Sequence, residues 1–94
     1  MTAELSFDWD DGNLQHFARH GVTQAEFEQV MRHDPILFDY RNVDGEDRWT
    51  GLGSTDDLRV LVVALTIREG RIRAVTAFPA SAKRVREFWR QKGQ

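Results

Sequence analysis

The order of periodic segments predicts an α+β domain: a small, mainly antiparallel β-sheet with packed helices, in the order β-α-α-β-β-β-β-α. Three observations carry this. Strand-like runs follow one another from Ile36 to Phe78, separated by short polar turns. "RVLVVALTI", Arg59–Ile67, is apolar and rich in β-branched residues, as suits a strand covered on both faces. Helical patterns with their own caps precede that series and follow it.

The chain opens with "ELSFDW", Glu4–Trp9, where Leu5, Phe7 and Trp9 alternate with polar residues and share one face of a strand. Asp10 or Asp11 then caps a helix running to about Arg19, with Leu14, Phe17 and Ala18 as its apolar stripe. Gly21 sits where a left-handed helix cap is wanted. Thr23 and Glu26 have the spacing of a capping box, so a second helix starts at once and turns Phe27, Val30 and Met31 inward. Pro35 stops it by restricting Asp34 to extended geometry.

"ILFDY", Ile36–Tyr40, and "DRWTGL", Asp47–Leu52, read as strands joined by a turn whose Asp44–Gly45 pair suits a hairpin. Gly51 weakens the second of them. "STDD" is a turn before the central strand, and "REG" leads from it into "RIRAVTAF". Ser81 caps a last helix to about Gln91, whose inner face carries Ala82, Val85, Phe88 and Trp89. The chain shows no repeat, linker or low-complexity segment. Residues 1–94 read as a single domain with only the last three or four residues loose.

Composition narrows the function classes. The chain has 94 residues, 40% hydrophobic and 30% charged, an ordinary globular balance. It has no cysteine, hence neither a disulfide framework nor a thiolate metal site. No apolar run approaches the ~20 residues of a membrane span. The acidic start "MTAELSFDWDDG" lacks the basic opening of a secretory signal, so a cytoplasmic location is expected. The net charge of −2 hides an asymmetry. Residues 1–57 hold 13 Asp/Glu against 4 Lys/Arg, a balance of −9, and residues 58–94 hold 9 Lys/Arg against 2 Asp/Glu, a balance of +7. A basic half suits an anionic partner such as nucleic acid; it also suits internal neutralisation by the acidic half.

"NLQHFARHGVT" places His16 and His20 at i and i+4, which is zinc spacing, but zinc needs a third ligand and no spacing supplies one. "HFARH" also lacks the glutamate of H-E-x-x-H. The plainer reading makes Asn13, His16 and His20 a polar stripe that borders the core and bonds to nearby backbone, with His20 also placed at the negative end of the helix dipole. No metal or cofactor is expected. In "RIRAVTAF", Arg71 and Arg73 share one strand face, while Lys83, Arg86 and Arg90 form a helix stripe away from the core. Arginines on such surfaces fit phosphates. A solvated face with salt bridges to the acidic half is the competing reading for any one of them.

Four pieces of the chain resemble the BrnT family of type II toxin–antitoxin modules: "FDWDDGNLQHFARHGVT", "FEQVMRHDP", "DRWTGLGST" and "RVLVVALTIREGRIRAVTAFPAS". The resemblance spans about residues 7–90. It implies a RelE-like fold and a ribonuclease that blocks translation and growth. It also implies a cognate antitoxin, BrnA-like and DNA-binding, and a higher-order toxin–antitoxin complex. If the chain is such a ribonuclease, Arg73 and Arg86 are expected to bind and stabilise the scissile phosphate, His20 to transfer a proton, and Arg71, Lys83 and Arg90 to support RNA binding. The chain departs from the family pattern at Phe78, where an arginine is common, at Arg84, where a glutamate is common, and at Phe88, where a tyrosine is common. Those departures keep a second expectation open, a BrnT-like module that binds protein or RNA without cleaving it.

Overall fold

A computed structural model describes residues 5–93. Its elements are β1 (Phe7–Asp8), α1 (Asp11–Arg19), α2 (Gln24–Arg32), β2 (Ile36–Val43), β3 (Glu46–Ser54), β4 (Val60–Arg68), β5 (Arg71–Pro79) and α3 (Ala82–Gln91). They follow the predicted order. The five-stranded sheet runs β1-β5-β4-β3-β2, antiparallel throughout except for the parallel pair β1–β5. β4 is its middle strand, as the apolar run from Arg59 required.

Local chemistry sets the boundaries. Asp10, not Asp11, caps α1, its carboxylate accepting from the Asn13 N–H at 2.8 Å. Thr23 and Glu26 complete the capping box of α2 reciprocally. Ser81 caps α3. Both residues of each tight hairpin have positive φ, Asp44 and Gly45 between β2 and β3, Glu69 and Gly70 between β4 and β5. That is the type I′ geometry whose twist matches the flanking strands.

Three expectations need correction. The first strand is reduced to Phe7–Asp8; Glu4 lies outside the described residues, and Trp9 leaves the strand yet packs on the core. Asp34 is not extended but left-handed, φ 55°, a conformation that Asp tolerates better than most residues. Ala82 is exposed, so only Val85, Phe88 and Trp89 form the inner face of α3.

Alternation along β4 divides the core in two. Leu61, Val63 and Leu65 join Phe17 of α1 and Phe27 and Val30 of α2 on one side of the sheet. Val60 and Val62 join Leu52 and Phe88 of α3 on the other. The first side is thick with aromatics: Trp9, Phe17 and Phe27 meet edge-on with centroids 5.3 to 5.6 Å apart. Glycine in β3 makes the helix approach closely. A Cβ on Gly53 would lie 2.4 Å from Val30 Cγ1. The residue type that weakens a strand in isolation is here what lets α2 dock.

α3 covers only one end of its side of the sheet. It starts beside β4, where the Ala80 N–H donates to Val60 O at 3.0 Å. It ends near the start of β2, where Lys92 Nζ donates to Asp34 O at 2.5 Å. The other half of that face, toward the two hairpins, carries no helix among the described residues.

Candidate nucleic-acid interface

The uncovered half of the sheet is polar and rich in arginine. Strand register lines up Asp8, Arg73, Thr66, Arg48 and Arg41 across all five strands. Thr66 and Arg48 lie at even positions of β4 and β3, the parity of Val62 and Leu52, so this row shares the face of α3. The neighbouring row pairs Arg68 with Arg71. Five arginines therefore share this face with Asp8, Asp39 and Glu46.

Like charges directly opposite each other destabilise a sheet, and carboxylates relieve them here. Glu46 touches Arg48 at 3.5 Å and Arg68 at 3.1 Å, and the Arg68 hydrogen bond holds its carboxyl below the usual range. Arg41 Nε donates to Asp39 at 3.1 Å. Arg73 is the most enclosed: Nη2 lies 2.5 Å from Asp10 and Nη1 3.5 Å from Asp8. The bond to Arg73 holds the Asp10 carboxyl down, and Asp10 raises the guanidinium in turn. Arg71 Nη2 donates to Phe7 O at 2.6 Å. Thr66, between Arg48 and Arg73, has a buried hydroxyl with no partner among the described residues.

Each residue singled out from sequence can now be placed. Arg71 and Arg73 share the open face, as their spacing required. Arg86 lies two positions, about 200° of helix, from the buried Phe88. It is exposed with Arg90 on the outer side of α3, while Lys83, also exposed, lines a cleft between α3 and β2. Arg86 therefore faces away from the sheet on which Arg73 lies. His20 caps the far end of α1, ten residues or about 15 Å of helix rise from Asp10, where Arg73 binds. His16 bonds Thr76 Oγ1 at 3.0 Å and Asn13 Nδ2 donates to Ala74 O at 2.6 Å, so these two tie α1 to β5. The His16 and His20 rings meet edge-on, with centroids 4.9 Å apart. Among the described residues no three His, Cys, Asp or Glu side chains gather where they could hold a metal ion, and no helix is long and apolar enough to cross a membrane.

Sequence reasoning missed Arg41, Arg48 and Arg68. The signal was present. A two-residue turn at Asp44–Gly45 sets Arg41 opposite Arg48, and one at Glu69–Gly70 sets Arg68 opposite Arg71. Phe88, at the position where a hydroxyl is common in the family resembled, is 1% exposed and belongs to the core.

Five arginines thus share a sheet face that no helix covers among the described residues. Residues 9–83 match the family described as "Ribonuclease toxin, BrnT, of type II toxin-antitoxin system". The chain belongs to that family, whose members imply an RNA substrate and an antitoxin partner. Its matched span includes all five arginines of the open face but not Asp8, and stops at the second residue of α3. A search of curated proteins finds no match.

Proposed function

We propose that the chain cleaves RNA on the open face of the sheet without a metal ion, and so stops translation and growth. The observation that carries this is the row of Arg73, Thr66 and Arg48 at the centre of that face. Guanidinium groups there hold the scissile phosphate and stabilise the charge that develops on it. Attack by the ribose 2′-hydroxyl on its own phosphorus forms the new P–O bond and breaks the bond to O5′. The 2′-hydroxyl proton passes to a base and a proton reaches O5′, leaving a 2′,3′-cyclic phosphate and a 5′-hydroxyl.

Arg73 acts in this reading from its seat between Asp8 and Asp10, with Arg71 and Arg68 guiding the adjoining phosphates. Arg86 and Arg90 on the outer stripe of α3, with Lys83 beside the cleft, attract RNA at longer range. His20, at the far end of α1, stands away from the phosphate, so the carboxylates of the open face are the nearer proton acceptors. Residues 1–94 act as one RelE-like domain in the cytoplasm. The antitoxin, BrnA-like and DNA-binding, covers the arginines with an acidic or apolar surface, and its dimerisation builds a higher-order complex.

The test is incubation of the purified protein with a defined RNA in excess EDTA. Fragments with cyclic phosphate ends are expected, and their loss in Arg48→Ala/Arg73→Ala. Intact RNA with folded wild-type protein would contradict the proposal. The buried Phe88 and the carboxylate-bound Arg73 favour one second reading, RNA binding without cleavage, which the same assay separates by a gel shift without fragments.

A further inference from the structure

Between α3 and β2 lies a cleft of about 390 Å³. Its lining combines Ile36, Phe38 and Leu52 with Ser81, Lys83, Arg84, Glu87 and Gln91. Phe38 is the extra residue of a bulge in β2, which turns its ring toward α3 and leaves it 48% exposed. The Arg84 guanidinium sits over that ring, 5.0 Å from its centroid. Neither Glu87 nor Gln91 has an ion-pair or side-chain hydrogen-bond partner among the described residues, although Lys83 and Arg84 stand one helical turn before Glu87. An unpaired carboxylate beside an aromatic–guanidinium pair is left over after the fold is accounted for.

The cleft opens on the same face as the arginines. Ile36 and Leu52 are register partners, and along β3 Thr50 and Arg48 follow on the same side. Arg48 is four residues from Leu52, about 14 Å of strand. That is a distance of one or two nucleotides. Three lining residues, Arg84, Glu87 and Gln91, lie beyond the span matched by the family.

We propose that this cleft is a nucleobase subsite that selects guanine, one or two nucleotides from the phosphate held at Arg48 and Arg73. The proposal rests on the reading of the open face as the RNA surface. Unstacked bases in single-stranded RNA are held by aromatic rings and guanidinium planes, and Phe38 with Arg84 offers both. The base is then chosen along its Watson–Crick edge. A carboxylate accepts two hydrogen bonds and donates none. Guanine alone presents two adjacent donors there, N1–H and the N2 amino group, which Glu87 can take together. Adenine and cytosine would set a ring-nitrogen lone pair against the carboxylate, and uracil offers a single donor. The Gln91 amide can donate to guanine O6.

The experiment is titration of the full chain with guanosine, adenosine, cytidine and uridine 5′-monophosphates, followed by NMR shifts of backbone amides. Guanosine monophosphate should bind about tenfold more tightly than the others, with shifts centred on Phe38, Glu87 and Gln91. Glu87→Gln should remove that preference, and Phe38→Ala should weaken all four by about tenfold. Equal binding of the four nucleotides, shifts elsewhere, or an undiminished guanine preference in Glu87→Gln would overturn the proposal. The nucleotides are not cleaved, so the outcome is distinct from that of the nuclease assay. Cleavage without guanine selection would remove the subsite and leave the nuclease reading intact. Guanine selection without cleavage would keep the subsite and remove the nuclease.

Discussion

Arg73 of β5 and Asp10, the N-cap of α1, are joined by a guanidinium–carboxylate contact of 2.5 Å. Asp10 has two tasks in this arrangement. It accepts from the Asn13 N–H to start the helix, and it fixes the arginine at the centre of the open face. Asn and Asp cap helices about equally well, so Asp10→Asn separates the tasks. The Asn variant should keep α1, with its melting temperature near neutral pH lowered only by loss of the Arg73 ion pair, while weakening RNA binding or cleavage. Asp10→Ala should lose both. Circular dichroism melts beside an RNA gel-shift assay check this.

Acid stability follows from the direction of the carboxyl shifts. Burial pushes the Glu26 carboxyl up, but the Thr23 N–H and the Arg59 guanidinium outweigh it and leave it below the usual range. Asp10 is lowered as well. A carboxyl that is lowered in the folded protein contributes stability that is present above its unfolded value, and loses it as pH falls through the folded value. The fold should therefore weaken below about pH 4. Glu26→Gln removes the ion pair that ties the helix junction to β4 at 2.9 Å. It should lower the melting temperature at pH 7 and flatten the acid decline, as denaturant midpoints across pH 3 to 7 would show.

Gly53→Ala puts a methyl group 2.4 Å from Val30 Cγ1. Overpacking of this kind costs roughly 1–3 kcal/mol. If the clash with Val30 is the cause, Val30→Ala should cost less in the Gly53→Ala background than alone. A double-mutant cycle by urea unfolding measures the coupling, and additive effects would contradict it.

Phe88 is the buried anchor of α3, packed edge-on against Trp89 with centroids 4.9 Å apart. Phe88→Ala should destabilise the fold by about 3–5 kcal/mol. Hydrogen exchange should rise first in α3 and in the facing parts of β2 and β3, while α1 and α2, on the opposite side of the sheet, stay protected. Uniform loss of protection would show that the two layers unfold as one.

Much of the fold was legible because strong local signals agreed with the pattern. The capping box at Thr23 and Glu26, the hairpin pair Asp44–Gly45 and the apolar Arg59–Ile67 run each fixed one element. β1 was overextended because alternation alone does not show that the chain must leave the sheet at Trp9, whose indole turns inward to Phe17 and Phe27. Asp34 was misread because a preceding-proline rule describes a preference, and this aspartate takes the left-handed region instead. The site was less legible. Arg71 and Arg73 followed from period two, but Arg41, Arg48 and Arg68 required register across two hairpins. No rule of spacing brings Asp10 to Arg73, 63 residues away in the chain.

The most direct test compares two double variants for growth arrest and RNA fragmentation after tightly controlled expression in a bacterial host. Arg48→Ala/Arg73→Ala removes the open face, and Arg86→Ala/Arg90→Ala removes the outer stripe of α3. The account predicts arrest with fragmented RNA for the wild type, retention of both in Arg86→Ala/Arg90→Ala, and loss of both in Arg48→Ala/Arg73→Ala with the protein still folded. Full toxicity of a folded Arg48→Ala/Arg73→Ala protein, or relief by the α3 variant alone, would contradict the assignment of RNA cleavage to the open sheet face.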